Sequence, residues 1–517
     1  MASSFVPLHN IIPLAICSDS YKAGHFTMYP EANRMVAYGE FRKGFNGDKE
    51  DVRFVFCGMR YLVETFLNRR WTLEDVDKAE RFYATHNAGR TPYPWPADLF
   101  RKFIKENDGY FPVRLQALPE GTCAHVHVPV YQISAEKEYS RLVTFLETLL
   151  TQVWYPCTVA TLSRRVKTLI EAAFERSVDE EGYWQLPYKL HDFGFRGCTT
   201  LEQSVLGGLA HLLSFAGTDT MSAAYYAQFE LNGGKPVAES VPATEHSVMT
   251  SWRTEREAIE NMIDHHGAGV YSIVLDSYDY ANCLDNILPT VAERKAAKGG
   301  VFVLRPDSGD PVEAVLMGLR AGEKAFGATI NKKGYKVLNQ ASVLQGDGIG
   351  YPEIKTILDT IMEAGYSAQS VVFGMGAGLL QKVNRDTLSF ATKLSYIEYA
   401  DGTKRDVMKY PKTDSEKISL PGELKVKRDP ATGIPTIFPA TRDDAVEDKE
   451  NLLKVVYDHG PVKDAFADVD FDGLKERVQK EWSALPAKHD PVSEELRGKI
   501  DAWVADMKQK LVAMQSN

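Results

Sequence analysis

Between about residues 185 and 390 the chain repeats one unit. A short apolar run ends in a polar or Gly-rich turn, and a helix-like segment follows. In order the runs are YKLHDFGFRG, the segment ending FAGTDT, SVPATEHS, YSIVLDSYD, VFVLRPDSGDP, SVLQGDGIGYP and SVVFGMGAG. The turns recur roughly every 30 residues, the spacing of a strand–helix unit in a parallel sheet. Consecutive units without a dinucleotide-binding glycine fingerprint favour a closed (β/α) barrel over an open sheet. In such a barrel the loops at the C-terminal strand ends build the site, and the polar residues of these runs lie at those ends.

The expected architecture is α/β: an irregular (β/α) barrel over 151–390, flanked by an α/β domain built from the N-terminal segment 1–150 and the C-terminal hairpin and helices of 391–517. Val36–Phe41 and Val52–Phe56 read as strands and Arg60–Asn68 as a helix. CAHVHVPVYQI alternates, with Ala124, Val126, Val128 and Val130 on one side and Cys123, His125 and His127 on the other. His125 and His127 lack a third metal ligand nearby, so a solvated or lightly packed strand face is expected. KLSYIEYADGTKRDVMKYP reads as a hairpin turning at Asp401-Gly402. A terminal helix carries Leu496, Ile500, Trp503, Met507, Leu511 and Met514 as a stripe for core or subunit contact.

Composition narrows the partners. With 60 Lys+Arg against 70 Asp+Glu the formal charge is −10, which argues against nucleic acid or an anionic membrane as a partner. The six cysteines form no CxxC and read as reduced thiols. MASSFVPLHN has no basic region leading into an apolar stretch, and no segment approaches about 20 apolar residues. A soluble, cytoplasmic protein is expected.

Three strand-end turns suit anions. In RPDSGDPVEAV, Asp310 is a plausible N-cap with Pro311 at the first helical position, so Arg305 and Asp307 project just before a helix start. LQGDGIGYPEI and FGMGAGLLQK supply glycine-freed amides ahead of helices. Asp307 and Asp347 would repel a phosphate unless they hold sugar hydroxyls or a bridging Mg²⁺. The set therefore suggests a sugar phosphate with magnesium, although capping and turn chemistry would explain either aspartate singly. In HDFGFRG, Phe193 could stack on a planar ring and Arg196 could meet its polar edge or a phosphate; no HRD loop accompanies the DFG letters, so a kinase is rejected. Asp219 in GTDT either caps a helix or faces the pocket, where it would favour an amide over a carboxylate. His246 follows a strand end, with Glu245 adjacent. Asp276 could orient its imidazole through one ring nitrogen and leave the other as base or nucleophile.

Taken in order, DSYKAGH with the later YPE, then HDFGFRG, GTDT, SVPATEHS, LDSYD, RPDSGDP, LQGDG, GLLQK and the hairpin lysines resemble the nicotinamide phosphoribosyltransferase family of dimeric type II phosphoribosyltransferases, over about residues 12–412. The resemblance implies formation of nicotinamide mononucleotide and pyrophosphate from nicotinamide and phosphoribosyl pyrophosphate, with Mg²⁺. It implies a base sandwiched between Phe193 and Tyr21 of the partner subunit, beside Asp19. Asp219 would receive the carboxamide, and Arg196 would touch the base or the product phosphate. Asp307 would hold the ribose hydroxyls, with Asp347 nearby, and the product phosphate would lie on the Gly346 and Gly376 turns. Pyrophosphate would meet Arg305, Arg42, Arg385, Lys393 and Lys409, some of them across a homodimer with shared active sites. His246, supported by Asp276 and Glu245, would be phosphorylated by ATP as co-substrate. The metal ligands stay unassigned. Ser342 and Ala377 depart from the family pattern, and a simple hairpin register puts Lys393 and Lys409 on opposite faces. Two alternatives stand beside this reading: a nicotinate phosphoribosyltransferase, or a catalytically silent homologue that binds nucleotide or signals.

Overall fold

The computed structural model describes residues 12–411 and 418–515, with side chains up to residue 510. Two compact units result. One comprises Val159–Asn384 with Asp470–Glu476, and the other the remaining described residues.

The first unit is built on six parallel strands: β1 (Leu190–Asp192), β2 (Gly217–Thr218), β3 (Val270–Val274), β4 (Val301–Arg305), β5 (Ala341–Gln345) and β6 (Val371–Met375). Their spatial order is β2-β1-β6-β5-β4-β3. Runs such as VYSIV and VFVLR are β-branched and aromatic with little alternation, because strands covered on both faces need apolar side chains on both. Helices cross back between them. Pro311–Phe326 starts where expected: Asp310 Oδ1 accepts from the N–H groups of Val312 at 3.1 Å and Glu313 at 3.0 Å, and Pro311 occupies the first turn. Tyr351–Glu363 likewise carries proline in its first turn.

The two edges of this sheet, β2 and β3, are joined through residues 239–243. Gly217 bridges Glu239 and Ala243 bridges Ser272, both in parallel sense. Thr218 N donates to Glu239 O at 3.1 Å, Ser272 N to Pro242 O at 2.9 Å and Thr244 N to Ser272 O at 3.0 Å. Thus the SVPATEHS run forms the stave that curls the sheet into an irregular (β/α) barrel, as the sequence predicts. The stave is held by single bridges, so the barrel is least regular there. All seven predicted runs lie in its wall.

In the second unit an antiparallel sheet centres on Ala32–Glu40, flanked by Pro129–Glu136 and Ala391–Tyr399, with Lys404–Asp406 beyond the latter and Arg114–Ala117 and Lys454–Asp458 beyond the former. Trp71 packs with Phe100, Phe103, Phe111 and Phe145 at centroid separations of 5.3–6.4 Å in its aromatic core. The strands expected at Val36–Phe41 and Val52–Phe56 are observed as Ala32–Glu40 and Arg53–Val55. The Arg60–Asn68 helix appears as Met59–Leu62 continued by a π-turn over Val63–Leu67. Gly402 supplies the positive φ, +81°, of the hairpin turn.

One expectation is corrected. CAHVHVPVYQI is not one strand with a solvated face: Cys123–His125 ends, His127 takes φ +74°, and a new strand begins at Pro129. Cys123 and His125 are fully buried, and the His125 Nε2 atom is 2.7 Å from the carbonyl of Pro486. The left-handed residue rotates the register, so alternation on either side of it says nothing about a shared face. Of the terminal stripe, Leu496 is buried and Trp503 Nε1 donates to Asp406 O at 3.0 Å, whereas the side chains of Leu511 and Met514 lie outside the described residues. Among the described residues no helix is long and apolar enough to cross a membrane.

Candidate active site

The strand ends of the barrel gather the predicted residues in two groups. The first surrounds His246, the opening residue of the helix His246–Ser251 that follows the stave. Its Nε2 lies 3.0 Å from Asp276 Oδ1, just past β3. The other Asp276 oxygen accepts from Asp307 N at 2.9 Å and Ser308 Oγ at 2.5 Å, both just past β4. Burial alone would raise the Asp276 carboxyl, but these donors and the ring outweigh it and hold the group below its ordinary range. An ionised carboxylate only accepts, so Nε2 carries the proton and a neutral ring keeps its lone pair at Nδ1. Nδ1 faces Asp307 Oδ2 at 3.7 Å, too far for a hydrogen bond, and the ring remains 45% exposed. Asp307 itself titrates above the usual carboxylate range; burial raises it most, Asp276 and Asp347 add to this, and Arg305 and His246 oppose it. Glu245 behaves differently: its carboxylate is engaged by the Ser247 hydroxyl rather than by the imidazole.

The second group lines a cavity of about 500 Å³ within the barrel, where Phe193, Asp219 and Arg305 meet. Phe193 N donates to Met375 O at 3.0 Å, tying the end of β1 to β6. The ring then packs against glycine: a Cβ at Gly374 would fall 2.1 Å from it and one at Gly346 would fall 3.1 Å away. FGMGAG was expected to act as one anion-binding turn, but its glycines serve different ends. Gly374 is a strand residue cleared for Phe193, Gly376 precedes the short helix Ala377–Leu380, and Gly378 lies inside that helix against the carbonyl of Ile349. Asp219 Oδ1 accepts from Ser240 Oγ at 2.5 Å. Arg305 Nη2 donates to Thr244 O at 2.8 Å while its buried Nε has no hydrogen-bond partner, an unmet cationic donor at the cavity wall. Ser342 faces the same cavity from β5, and Arg196 is exposed beyond β1.

Sequence reasoning missed Ser308 and Ser240. Ser308 is adjacent to the predicted Asp307, whereas Ser240 lies 21 residues from Asp219 and carries no local signal of the contact.

The other predicted cations belong to the second unit. Arg42 Nε and Nη2 donate to Ser389 O at 3.1 Å and Ser389 Oγ at 2.9 Å. Burial, then Arg42, then Lys409 depress the Lys393 ammonium, against the pull of Glu40. Lys409 thus adds its charge to the burial and Arg42 effects on Lys393. The simple hairpin register, which would set the two lysines on opposite faces, does not carry through to Lys393: the pairing of Ala391–Tyr399 with Ala32–Glu40 shifts between Tyr396 and Leu394, a bulge at Ser395. Arg385 acts on the half-exposed Tyr21, whose hydroxyl is raised by burial and by Glu147 and Asp19.

An irregular parallel barrel with a carboxylate-held histidine and an unmet arginine at its strand ends defines a phosphate-handling α/β enzyme. Two family models match: residues 188–460 match the Nicotinate phosphoribosyltransferase (NAPRTase) family, and residues 13–115 the nicotinamide phosphoribosyltransferase N-terminal domain. The nicotinamide phosphoribosyltransferase of Xanthomonas campestris is 41% identical over 435 residues, covering 82% of this chain and 90% of that one. That of Acinetobacter baylyi is 30% identical over 478 residues, covering 86% and 93%. Among solved structures, the Pyrococcus furiosus nicotinate-nucleotide pyrophosphorylase (TM-score 0.57, 15% identity) and human nicotinic acid phosphoribosyltransferase (TM-score 0.55, 17% identity) each cover 94% of this chain and 99% of their own, and share its fold. The chain belongs to the nicotinamide/nicotinate phosphoribosyltransferase family of type II phosphoribosyltransferases. It is a pentosyltransferase of NAD salvage.

Proposed function

We propose that the enzyme joins nicotinamide to phosphoribosyl pyrophosphate, giving nicotinamide mononucleotide and pyrophosphate. The observation that carries the choice of base is Asp219: a carboxylate in the wall of the cavity that Phe193 lines accepts from a carboxamide NH₂ and repels the carboxylate of nicotinic acid. The pyridine nitrogen is already a nucleophile, so the base needs orientation and no general base. Phe193 supplies one face of the stack, with Tyr21 and Asp19 of a partner copy on the other. Arg196 meets the base or the product phosphate.

Departure of pyrophosphate from the anomeric carbon develops positive charge on the ribose and negative charge on the leaving group. Asp307 and Asp347 hold the ribose side, and the turns at Gly346 and Gly376 take the 5′-phosphate. Arg305, Arg42, Arg385, Lys393 and Lys409 take the pyrophosphate, some of them across a homodimer. No group of three His, Cys, Asp or Glu side chains among the described residues could cage a metal alone. Mg²⁺ binds through one or two carboxylates and the substrate's own phosphates, and Asp307 is the carboxylate suited to it. When bound, Mg²⁺ neutralises charge on the leaving pyrophosphate.

ATP enters through His246. With Nε2–H held by Asp276, Nδ1 is the nitrogen free to accept a phosphoryl group, and Glu245 stands at the start of the same helix. Hydrolysis of the phosphohistidine draws the reaction toward product. The reaction is assigned to the cytoplasm.

A nicotinate phosphoribosyltransferase is the second reading, favoured by the family model matched over residues 188–460. Turnover of each base with phosphoribosyl pyrophosphate, with and without ATP, separates the two. Preference for nicotinamide, stimulated by ATP in the wild type and unstimulated in His246→Ala, is expected. Preference for the acid overturns the Asp219 argument, and equal stimulation in His246→Ala overturns the phosphohistidine.

A further inference from the structure

The stave that closes the barrel also reaches the base pocket. Its bridge to β2 fixes the register: Thr218 N donates to Glu239 O at 3.1 Å and Glu239 N to Ala216 O at 2.9 Å. In that register Ser240, the next residue, lies opposite Thr218, one residue before Asp219, which follows β2. The Asp219 backbone is pinned from the opposite side, its N–H donating to Asp192 O at 2.9 Å at the end of β1. Ser240 Oγ then donates to Asp219 Oδ1 at 2.5 Å, a charge-assisted hydrogen bond, and both residues line the cavity that Phe193 lines.

We infer that Ser240 is a specificity-determining positioning residue: it commits one oxygen of Asp219 to the protein and leaves the other aimed at the carboxamide of the bound base. This rests on the nicotinamide reading above. The terminal torsion of an aspartate is broad, so without an anchor the carboxylate samples orientations in which neither oxygen meets a planar amide stacked on Phe193. The anchor also works by exclusion. A serine hydroxyl has one proton, and here Asp219 holds it, so Ser240 has no donor left to welcome the carboxylate of a competing acid. Hence one hydrogen bond strengthens the amide and withholds a partner from the acid.

The test is steady-state kinetics of the full-length enzyme on nicotinamide and nicotinic acid, comparing wild type, Ser240→Ala and Ser240→Thr, with melting temperatures measured in parallel. Ser240→Ala should raise KM for nicotinamide about tenfold with a much smaller change in kcat, and should shrink the amide-over-acid preference by a similar factor. KM for phosphoribosyl pyrophosphate should stay put. Ser240→Thr, which keeps the hydroxyl, should restore both KM and preference. An unchanged nicotinamide KM in Ser240→Ala overturns the inference, as does an equal rise in both substrates' KM or a threonine variant no better than alanine. A wild type that prefers nicotinic acid instead overturns the underlying reading, and is seen before any variant is made.

Discussion

Replacing Asp276 by asparagine keeps the shape of the side chain and removes its charge, and the local hydrogen bonds dictate the outcome. The carboxylate accepts three times: from His246 Nε2 at 3.0 Å, Asp307 N at 2.9 Å and Ser308 Oγ at 2.5 Å. An amide has one accepting oxygen and a donating nitrogen. If the oxygen stays on the ring, the NH₂ confronts the Asp307 N–H; the serine can reverse its hydroxyl but a backbone amide cannot, and one part-buried donor is left unmatched at a cost of about 1 kcal/mol. If the NH₂ turns to the ring, Nε2 must accept, and the imidazole proton moves to Nδ1, where it blocks the nitrogen that faces the open site. In either case a developing imidazolium loses its counter-charge. A neutral group at the orienting position of a comparable histidine costs about 10³–10⁴ in rate, or roughly 4–5 kcal/mol of barrier. We therefore expect Asp276→Asn to form phosphohistidine from radiolabelled ATP about a thousandfold more slowly than wild type, measured as acid-labile, base-stable label on the protein. The ATP-stimulated part of turnover should fall with it. Wild-type labelling in this variant would refute the orientation argument, because no arrangement of the amide preserves both the tautomer and the charge.

Two further outcomes test other parts of the molecule. Lys393 is depressed by burial and by Arg42 and Lys409, a repulsion that an anion among the three would relieve, so millimolar pyrophosphate should raise the melting temperature of wild type by several degrees and that of Lys393→Ala by much less; equal shifts would remove these cations from the anion site. Asp192 is fully buried and its carboxyl is pushed up to about 6, chiefly by burial with a further push from Asp219. A folded state that holds this proton more tightly than the unfolded chain loses stability as pH rises from about 4 to 6 and then levels off, by on the order of 2–3 kcal/mol. Asp192→Asn should therefore gain melting temperature over wild type at pH 8 relative to pH 5, and a pH-independent difference would contradict the assignment.

What could be read from the sequence divides along a physical line. Strands β3–β6 were visible because strands covered on both faces are largely apolar along their length, and the turns after them carry polar or glycine residues; VFVLR followed by PDSGDP satisfies both demands at once. Because chemistry in such a barrel gathers at one end of all strands, naming the strands also named the layer that holds Phe193, Asp219, His246, Asp276, Arg305, Asp307 and Asp347. Hidden features depended on contacts between segments far apart in the chain. His127 at φ +74° carries no local mark, since nothing in HVHVP demands a left-handed residue, and so an alternating run was read as one strand. Gly374 looked like one of three phosphate-binding glycines, but its neighbour in space is a phenyl ring 181 residues earlier in the chain (374 − 193).

The closing stave is the most instructive case. Residues 239–243 contain two single bridges, too little pairing to impose strand composition, so ESVPA has a proline and a serine where a strand would have apolar residues. That weakness in pairing permits the segment to carry polar side chains inward. A fully paired seventh strand would be selected for packing on both faces, as β3–β6 are, and could present a hydroxyl to Asp219 only at the expense of that packing. Closing the barrel by isolated bridges leaves Ser240 free to hold the base-recognising carboxylate, and delivers His246 to Asp276 six residues later. The irregularity of the barrel is thus confined to the segment where the regular pattern would compete with the chemistry.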